Sequence, residues 1–183
     1  MLFRSGYEVR GFHEAGHDVT AIEFSVPAVA RARTLLGPLG DNVILGDFFE
    51  HDFGKRPFGL IYERGFLCSF PPTRWPAYAS RMASLLPTGG RLVGLFLYGD
   101  EPDPPPFPMT PEIAASLLGR SFRLRQTEQV SESPPVYQGL EHWQEWQKVD
   151  LTSHPAPAPA LAFSVQRRQR TRTTRTRQSS VLS

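Results

Sequence analysis

Short, mostly apolar runs alternate with helical patterns over the first 150 residues of this chain. A run of three to eight such residues that ends at a glycine or a charged residue is typical of a buried β-strand. Six strands are predicted on this basis, over residues 19–22, 43–45, 58–62, 91–97, 122–127 and 141–148. The first three of these strands are followed by acidic residues.

Apolar residues between the strands recur at the spacing of amphipathic helices. One predicted helix begins at Ser25, ends at Gly37 and carries an apolar face of Val29, Ala32, Leu35 and Leu36. The next carries Trp75, Tyr78, Ala79, Met82, Leu85 and Leu86, and a shorter third helix opens at Thr110. Strands that alternate with helices predict an α/β fold with a Rossmann-like, doubly wound, mostly parallel sheet covered on both faces.

The composition is that of a folded protein rather than a disordered or disulfide-rich one. Of the 183 residues, 40% are hydrophobic, which is enough to fill a core. The one cysteine, Cys68, cannot form an intramolecular disulfide, and the five histidines show no ligand spacing, so we expect no metal site. Neither a membrane span nor a signal peptide is expected, and we predict a cytoplasmic monomer.

The positive charge is concentrated at the carboxyl terminus. The net charge is +2, but residues 166–183 hold six arginines and no acid. Without them, residues 1–165 carry 14 basic against 18 acidic residues. We therefore predict a domain over residues 1–150, a Pro/Ala linker over 151–165 and a disordered Arg/Thr-rich tail over 166–183. Nucleic-acid binding is not favoured, because only the tail is basic.

Acidic residues stand at the ends of three successive predicted strands. They are Glu23, Asp47 and Glu63, and Arg64 follows the last of them. The carboxyl ends of parallel strands meet at one edge of a sheet, where ligands bind. An acid after the second strand of such a fold binds the hydroxyls of a ribose, and one after the next strand can accept from an adenine amine. An adenine nucleoside cofactor is predicted, which leaves NAD and S-adenosylmethionine open.

Several motifs make the sequence resemble the thiopurine methyltransferase family of class I S-adenosylmethionine-dependent methyltransferases. The resemblance extends from about Gly6 to Lys148. The motifs are Glu8, residues 16–25 (GHDVTAIEFS), 46–49 (GDFF), 62–68 (YERGFLC), 89–92 (GGRL), and the proline-rich segment 100–108 before 109–112 (MTPE). The resemblance implies methyl transfer from S-adenosylmethionine to a small soft nucleophile such as a thiol, thiopurine, selenol or halide.

The resemblance also implies roles for individual residues. Glu23, beside Phe24, would hold the ribose diol, while Asp47 and Phe48 would line the adenine pocket. Glu63 and Arg64 would lie under the methionine end of the cofactor. Leu2 and Gly6 fall where the family has its glycine-rich cofactor loop. No catalytic residue is assigned, because alignment of an activated methyl group with a soft nucleophile supplies most of the acceleration.

The sequence departs from the family at its start. Residues 1–7 lie where the family has a glycine-rich loop, and the preceding strand, which is central in the family's sheet, has no counterpart. About five buried side chains at roughly 1.5–3 kcal/mol each would be lost with that strand. We therefore expect an N-terminally truncated methyltransferase with most or all of the first strand missing. The alternatives are a catalytically inactive methyltransferase-like fragment and a NAD-binding Rossmann-type enzyme.

Overall fold

The structure, a computed structural model, describes residues 7–55, 57–100 and 103–150. These residues form four α-helices and six β-strands. The helices are α1 (Tyr7–Glu14), α2 (Val26–Leu36), α3 (Trp75–Leu85) and α4 (Pro111–Leu118). The strands are β1 (Ala21–Glu23), β2 (Val43–Leu45), β3 (Leu60–Arg64), β4 (Arg91–Leu97), β5 (Phe122–Gln129) and β6 (Glu141–Lys148).

The strands form two sheets. In the smaller sheet β1 and β2 run parallel, with Ala21 opposite Val43 and Glu23 opposite Leu45. The larger sheet has the order β3-β4-β6-β5. In it β3 and β4 are parallel, and β6 is antiparallel to both of its neighbours. Because β5 therefore runs in the same direction as β3 and β4, the prediction of an α/β fold with mostly parallel strands is confirmed.

The two sheets are separate at the position where the sequence predicts a missing strand. Within the described residues, β1 pairs with β2 alone and β3 pairs with β4 alone. Their other edges carry backbone groups that no described strand pairs. A single doubly wound sheet would need one more parallel strand between β1 and β3. In the described part of the chain, β1 and β3 are therefore each the edge strand of a separate sheet.

Helix termini follow from local sequence. Ser25 occupies the N-cap of α2 in extended conformation, and Pro27 lies in the first turn, where no backbone N–H is needed. The Ser25 side chain makes no capping bond, although the sequence predicted this residue as the cap. At α4 the Thr110 hydroxyl does cap the helix, accepting a hydrogen bond from the Ile113 backbone N–H at 3.3 Å.

Two apolar clusters form the core. The larger one lies between α3, α4 and the four-stranded sheet and includes Tyr78, Leu92, Phe96 and Trp146. The smaller one joins α1 and α2 to the two-stranded sheet through Val9, Ala21, Val29, Ala32, Leu36 and Val43. Ile22 of β1 belongs to the larger cluster, so the small sheet packs on the main core. Helix α1 was not predicted, although Val9 and Phe12 show helical spacing.

Several predictions fall on residues that the structure does not describe. These are the roles of Leu2 and Gly6, the linker over residues 151–165 and the tail over residues 166–183. No helix in the described part of the chain is long and apolar enough to cross a membrane.

Candidate functional site

A cavity of about 210 Å³ lies at the carboxyl ends of β1 and β2. It brings together four residues that the sequence predicts to bind the cofactor, namely Glu23, Phe24, Asp47 and Phe48. The remaining lining residues are Ile22, Gly46, Phe49, Phe66, Phe70 and Arg74. Parallel pairing of β1 and β2 produces this arrangement, because it places Glu23 beside Leu45 and the turn that follows it. Glu23 and Asp47 therefore share one crevice, as the sequence predicts.

Glu23 is held in place by the backbone around it. Its side chain is only 3% exposed, and Oε1 accepts a hydrogen bond from the Ser25 backbone N–H at 2.8 Å. Its backbone carbonyl accepts from the Gly46 N–H at 3.0 Å, which joins the ends of β1 and β2. A carboxylate fixed at the edge of a cavity in this way needs little reorganisation to bind a ligand's hydroxyl groups.

The turn after β2 is built on Asp47. Its Oδ1 accepts a hydrogen bond from the Phe49 N–H at 2.7 Å, and its backbone carbonyl accepts from the His51 N–H at 2.8 Å. Arg81 of α3 secures the same turn, since its Nε donates to the Phe48 carbonyl at 3.1 Å and its Nη2 donates to the His51 carbonyl. The sequence did not point to Arg81, because its partners are backbone carbonyls about 30 residues away.

Phe24 and Phe48 differ in their exposure. The Phe48 ring is buried and meets Phe66 edge to face at 5.2 Å between ring centres. Phe24 is 69% exposed at the cavity rim, directly after Glu23. A large exposed aromatic side chain next to a buried carboxylate is suited to stacking on a planar ligand ring.

A second, larger cavity of about 770 Å³ lies between the two sheets. Residues from the edge strands β1 and β3 line it, together with Val9 and Phe12 of α1. Ile22, Phe48 and Phe66 line both cavities, so the two are neighbours. The gap between the sheets therefore opens beside the cavity that holds Glu23 and Asp47.

Glu63 lines this larger cavity but is turned into the protein. It is 1% exposed, and its Oε2 accepts hydrogen bonds from the Leu67 N–H at 2.8 Å and the Tyr78 hydroxyl at 3.2 Å. Burial raises the pKa of Glu63 to about 7, because a carboxylate loses hydration there. Burial and the neighbouring Glu63 also raise the pKa of Tyr78. In the structure Glu63 therefore holds the Gly65–Leu67 turn rather than facing solvent.

Arg64 lies apart from the smaller cavity. It is half exposed at the end of β3, and its Nη1 pairs with Glu8 Oε1 of α1 at 3.2 Å. The residues lining the two cavities do not include it. The pairing joins two of the residues on which the resemblance rests, and the contact of Arg64 with the cofactor stays a prediction.

Neither cysteine nor metal chemistry is supported within the described residues. Burial raises the pKa of the Cys68 thiol to about 12, and its Sγ lies 3.4 Å from the Gly65 carbonyl, so the thiolate nucleophile does not form near neutral pH. No group of three or more metal-ligating side chains is found in residues 7–55, 57–100 and 103–150.

Three of the residues that line the smaller cavity were not found from the sequence. Phe49, Phe70 and Arg74 form its outer wall, and the Arg74 guanidinium lies 4.2 Å from the centre of the Phe49 ring. Phe49 and Phe70 meet edge to face at 5.2 Å. The available signal was the FF pair after Asp47, but Phe70 and Arg74 come from the segment before α3 and reach the cavity through tertiary packing.

Solved structures define the class of fold to which this arrangement belongs. The chain is similar to the 1,6-didemethyltoxoflavin-N1-methyltransferase of Burkholderia thailandensis, crystallised with S-adenosylhomocysteine, with a TM-score of 0.62 and 24% identity over 79% of this chain and 67% of the other. It is also similar to a SAM-dependent methyltransferase of Methanosarcina mazei, with a TM-score of 0.64 and 13% identity over 76% of this chain and 86% of the other. The fold is that of the class I S-adenosylmethionine-dependent methyltransferases.

The family is defined by sequence. The model of the Thiopurine S-methyltransferase (TPMT) family matches residues 4–149, and the chain belongs to this family. A curated relative is the "Probable thiol methyltransferase 2" of Arabidopsis thaliana, which is 31% identical over 101 residues, or 53% of this chain. The matched region spans 44% of that relative's length.

Proposed function

We propose that this protein binds S-adenosylmethionine and transfers its methyl group to a small soft nucleophile. One observation carries the proposal: Glu23, the last residue of β1, and Asp47, in the turn after β2, line a single cavity in a chain of the thiopurine S-methyltransferase family. The sequence alternative of a NAD-dependent enzyme is not favoured, because both the family and the fold neighbours are methyltransferases.

We assign the adenosine half of the cofactor to this cavity. It combines a fixed buried carboxylate at Glu23, an exposed carboxylate at Asp47 and the exposed ring of Phe24 at its rim. We assign the ribose hydroxyls to Glu23, the adenine amine to Asp47 and the flat face of the base to Phe24 and Phe48. For the methionine half we retain the sequence predictions, namely Leu2, Gly6, Glu63 and Arg64.

The chemistry places few demands on the protein. The cofactor supplies a methyl group that is already activated by its sulfonium charge, and a thiol, selenol or halide is a good nucleophile without strong base catalysis. The residues of this chain have to bind, orient and exclude water. This requirement agrees with a cavity in which Phe48, Phe49, Phe66 and Phe70 supply an apolar lining.

The acceptor class follows from the family and from the name of the Arabidopsis relative. We propose a thiol or thiopurine first, with selenols and halides as further candidates, and a cytoplasmic monomer that takes a small-molecule acceptor. A panel of hydrosulfide, an aromatic thiol, 6-mercaptopurine and iodide, assayed for methylated product, would rank these acceptors.

Glu23→Gln tests the cofactor assignment by calorimetric titration with S-adenosylhomocysteine. We expect the variant to bind at least about tenfold more weakly, because the amide cannot accept from both ribose hydroxyls as a carboxylate does. Glutamine retains an oxygen for the Ser25 N–H, so the local fold is preserved. Glu128→Gln on the exposed face of β5 is the matched control and should bind like the unmodified protein. Equal affinity of all three proteins would contradict the assignment.

A methyltransferase-like fragment that does not catalyse is the second candidate. The family and the fold neighbours favour the enzyme over this candidate. Binding of S-adenosylhomocysteine without methylated product from any acceptor of the panel would support it over the enzyme. Titration with NAD completes the comparison, and we expect no heat of binding.

A further inference from the structure

The outer wall of the smaller cavity consists of phenylalanine rings, and the guanidinium group of Arg74 lies against one of them. Phe66 and Phe70 meet edge to face at 4.8 Å, and the Trp75 indole N–H donates to the Phe70 carbonyl at 2.9 Å, which holds this part of the wall. The Arg74 guanidinium carbon lies 4.2 Å from the centre of the Phe49 ring and 5.9 Å from that of Phe70. The guanidinium is therefore held by the aromatic wall of the cavity.

Arg74 has no acidic partner in the described part of the chain. The ion pairs there are Arg64 with Glu8 and Arg91 with Glu145, and neither involves Arg74. A guanidinium that lies against an aromatic ring keeps its N–H groups in its own plane, where they can donate. An exposed arginine against an aromatic ring at the mouth of a cavity is thus a hydrogen-bond donor whose guanidinium no other described side chain or carbonyl uses.

Asp47 and Arg74 are both positioned by the same residue. Asp47 Oδ1 accepts from the backbone N–H of Phe49, and Arg74 lies against the ring of Phe49. Both side chains line the same cavity of about 210 Å³. The same cavity therefore has a hydrogen-bond acceptor, Asp47, and a hydrogen-bond donor, Arg74, in its lining.

We propose that Arg74 is a specificity-determining residue that, together with Asp47, recognises the adenine base of the cofactor. The adenine amine donates to the Asp47 carboxylate, while the adjacent ring nitrogen accepts from the Arg74 guanidinium. Hypoxanthine reverses the pattern at these two positions, with an oxygen acceptor in place of the amine and an N–H in place of the ring nitrogen. The pair therefore selects adenine over hypoxanthine. This inference rests on the proposed function, because it needs adenosine in this cavity.

Arg74→Ala tests the proposal by calorimetric titration with two ligands, S-adenosylhomocysteine and its deaminated analogue S-inosylhomocysteine. We expect the unmodified protein to bind the adenine ligand more tightly than the hypoxanthine ligand. In the variant the ratio of the two dissociation constants should fall about tenfold, because loss of a hydrogen bond to a charged group weakens binding by about that factor. Arg123→Ala, an exposed arginine of β5, is the matched control and should keep the preference. Thermal unfolding checks that both variants remain folded, which we expect because both arginines are exposed.

The ratio of the affinities for the two ligands distinguishes recognition of the base by Arg74 from a role of Arg74 in packing the cavity wall. Weakening of both ligands by the same factor in Arg74→Ala would overturn the proposal, because it would assign Arg74 a general role in shaping the wall. An unchanged ratio with unchanged affinities would overturn it as well. Failure of the unmodified protein to bind S-adenosylhomocysteine would instead contradict the proposed function. The proposed role of Arg74 in adenine recognition would then be contradicted as well.

Discussion

Glu63 shows how one residue acquires a role that its position in the sequence does not reveal. It belongs to a motif shared with the family and stands at a strand end, which predicts a ligand-binding acid. In the structure it is buried and accepts from Leu67 and Tyr78. The difference arises because the chain turns at Gly65, whose φ of 65° favours glycine, and brings Leu67 back over the carboxylate. Side-chain orientation at a strand end depends on the turn that follows.

Glu63→Gln should change how stability depends on pH. The folded protein binds the Glu63 proton more tightly than the unfolded chain, with a pKa of about 7 against an ordinary 4.5. This proton binding contributes about 3 kcal/mol to the free energy of unfolding. The contribution is fully present below about pH 4.5 and is lost as the pH rises to about 7. Glutamine has no such proton, and its oxygen can accept from both Leu67 and Tyr78.

Urea unfolding at about pH 5 and about pH 8 measures this difference. The unmodified protein should lose more stability between the two pH values than Glu63→Gln does. The comparison between the two proteins removes the contribution of the histidines and other groups that titrate in both. Equal losses would show that the Glu63 carboxyl does not titrate with a raised pKa.

At the scale of elements, the apolar pattern predicted the strands well where burial alone defines them. Strands β2, β4 and β6 begin and end at the predicted residues, and α3 matches its predicted apolar face. For β3 the acidic residue and the arginine belong to the strand itself, since Glu63 and Arg64 pair opposite Gly94 and Leu95. Helix α1 was missed because a single buried residue, Val9, marks its inner face.

The register of β3 and β4 depends on Gly94. A Cβ atom at this position would lie 1.8 Å from the Glu63 carbonyl oxygen, which is far inside a normal contact. Gly94 lies opposite Glu63 in the parallel pair. The strand that carries Glu63 is therefore held close to β4 by the absence of a side chain, and no apolar pattern would reveal this requirement.

Gly94→Ala should destabilise the protein by about 3 kcal/mol, the upper end of the range for overpacking, because β3 has to move away from β4. Gly59→Ala is the matched control, since nothing lies within 4 Å of its added Cβ and it precedes the same strand. Denaturant unfolding of the two variants measures the difference. Similar stabilities for Gly94→Ala and Gly59→Ala would contradict the close approach of the two strands.

At the scale of the whole molecule, the two sheets differ in size and in the amount of apolar core that packs against them. The larger sheet has four strands and packs on the larger apolar cluster, whereas the smaller sheet has two strands of three residues each. The smaller cluster holds six buried residues. The smaller sheet carries Glu23 and leads into Asp47, so the proposed cofactor residues lie on the less supported part of the described fold.

Native-state hydrogen exchange should show this inequality. We expect the backbone amides of Glu23 and Ile44, which face the partner strand, to exchange at least about tenfold faster than those of Leu92 and Phe96, because short strands with few buried neighbours open more easily. S-adenosylhomocysteine should slow the exchange of Glu23 and Ile44, since the ligand would join the ends of β1 and β2. Uniform protection across all four residues would show that the two sheets open as one unit.

The sequence by itself determined the class of fold, the strands, the helices α2, α3 and α4, and the identity of the acids at the strand ends. These features depend on local burial and on short motifs, which a single chain displays in its order of apolar and polar residues. The tertiary structure decided which of those residues meet. It placed Glu23 and Asp47 in one cavity, paired Arg64 with Glu8, buried Glu63 under Leu67 and brought Arg74 against Phe49. Such contacts join residues far apart in the chain, and their geometry follows from packing rather than from any local pattern.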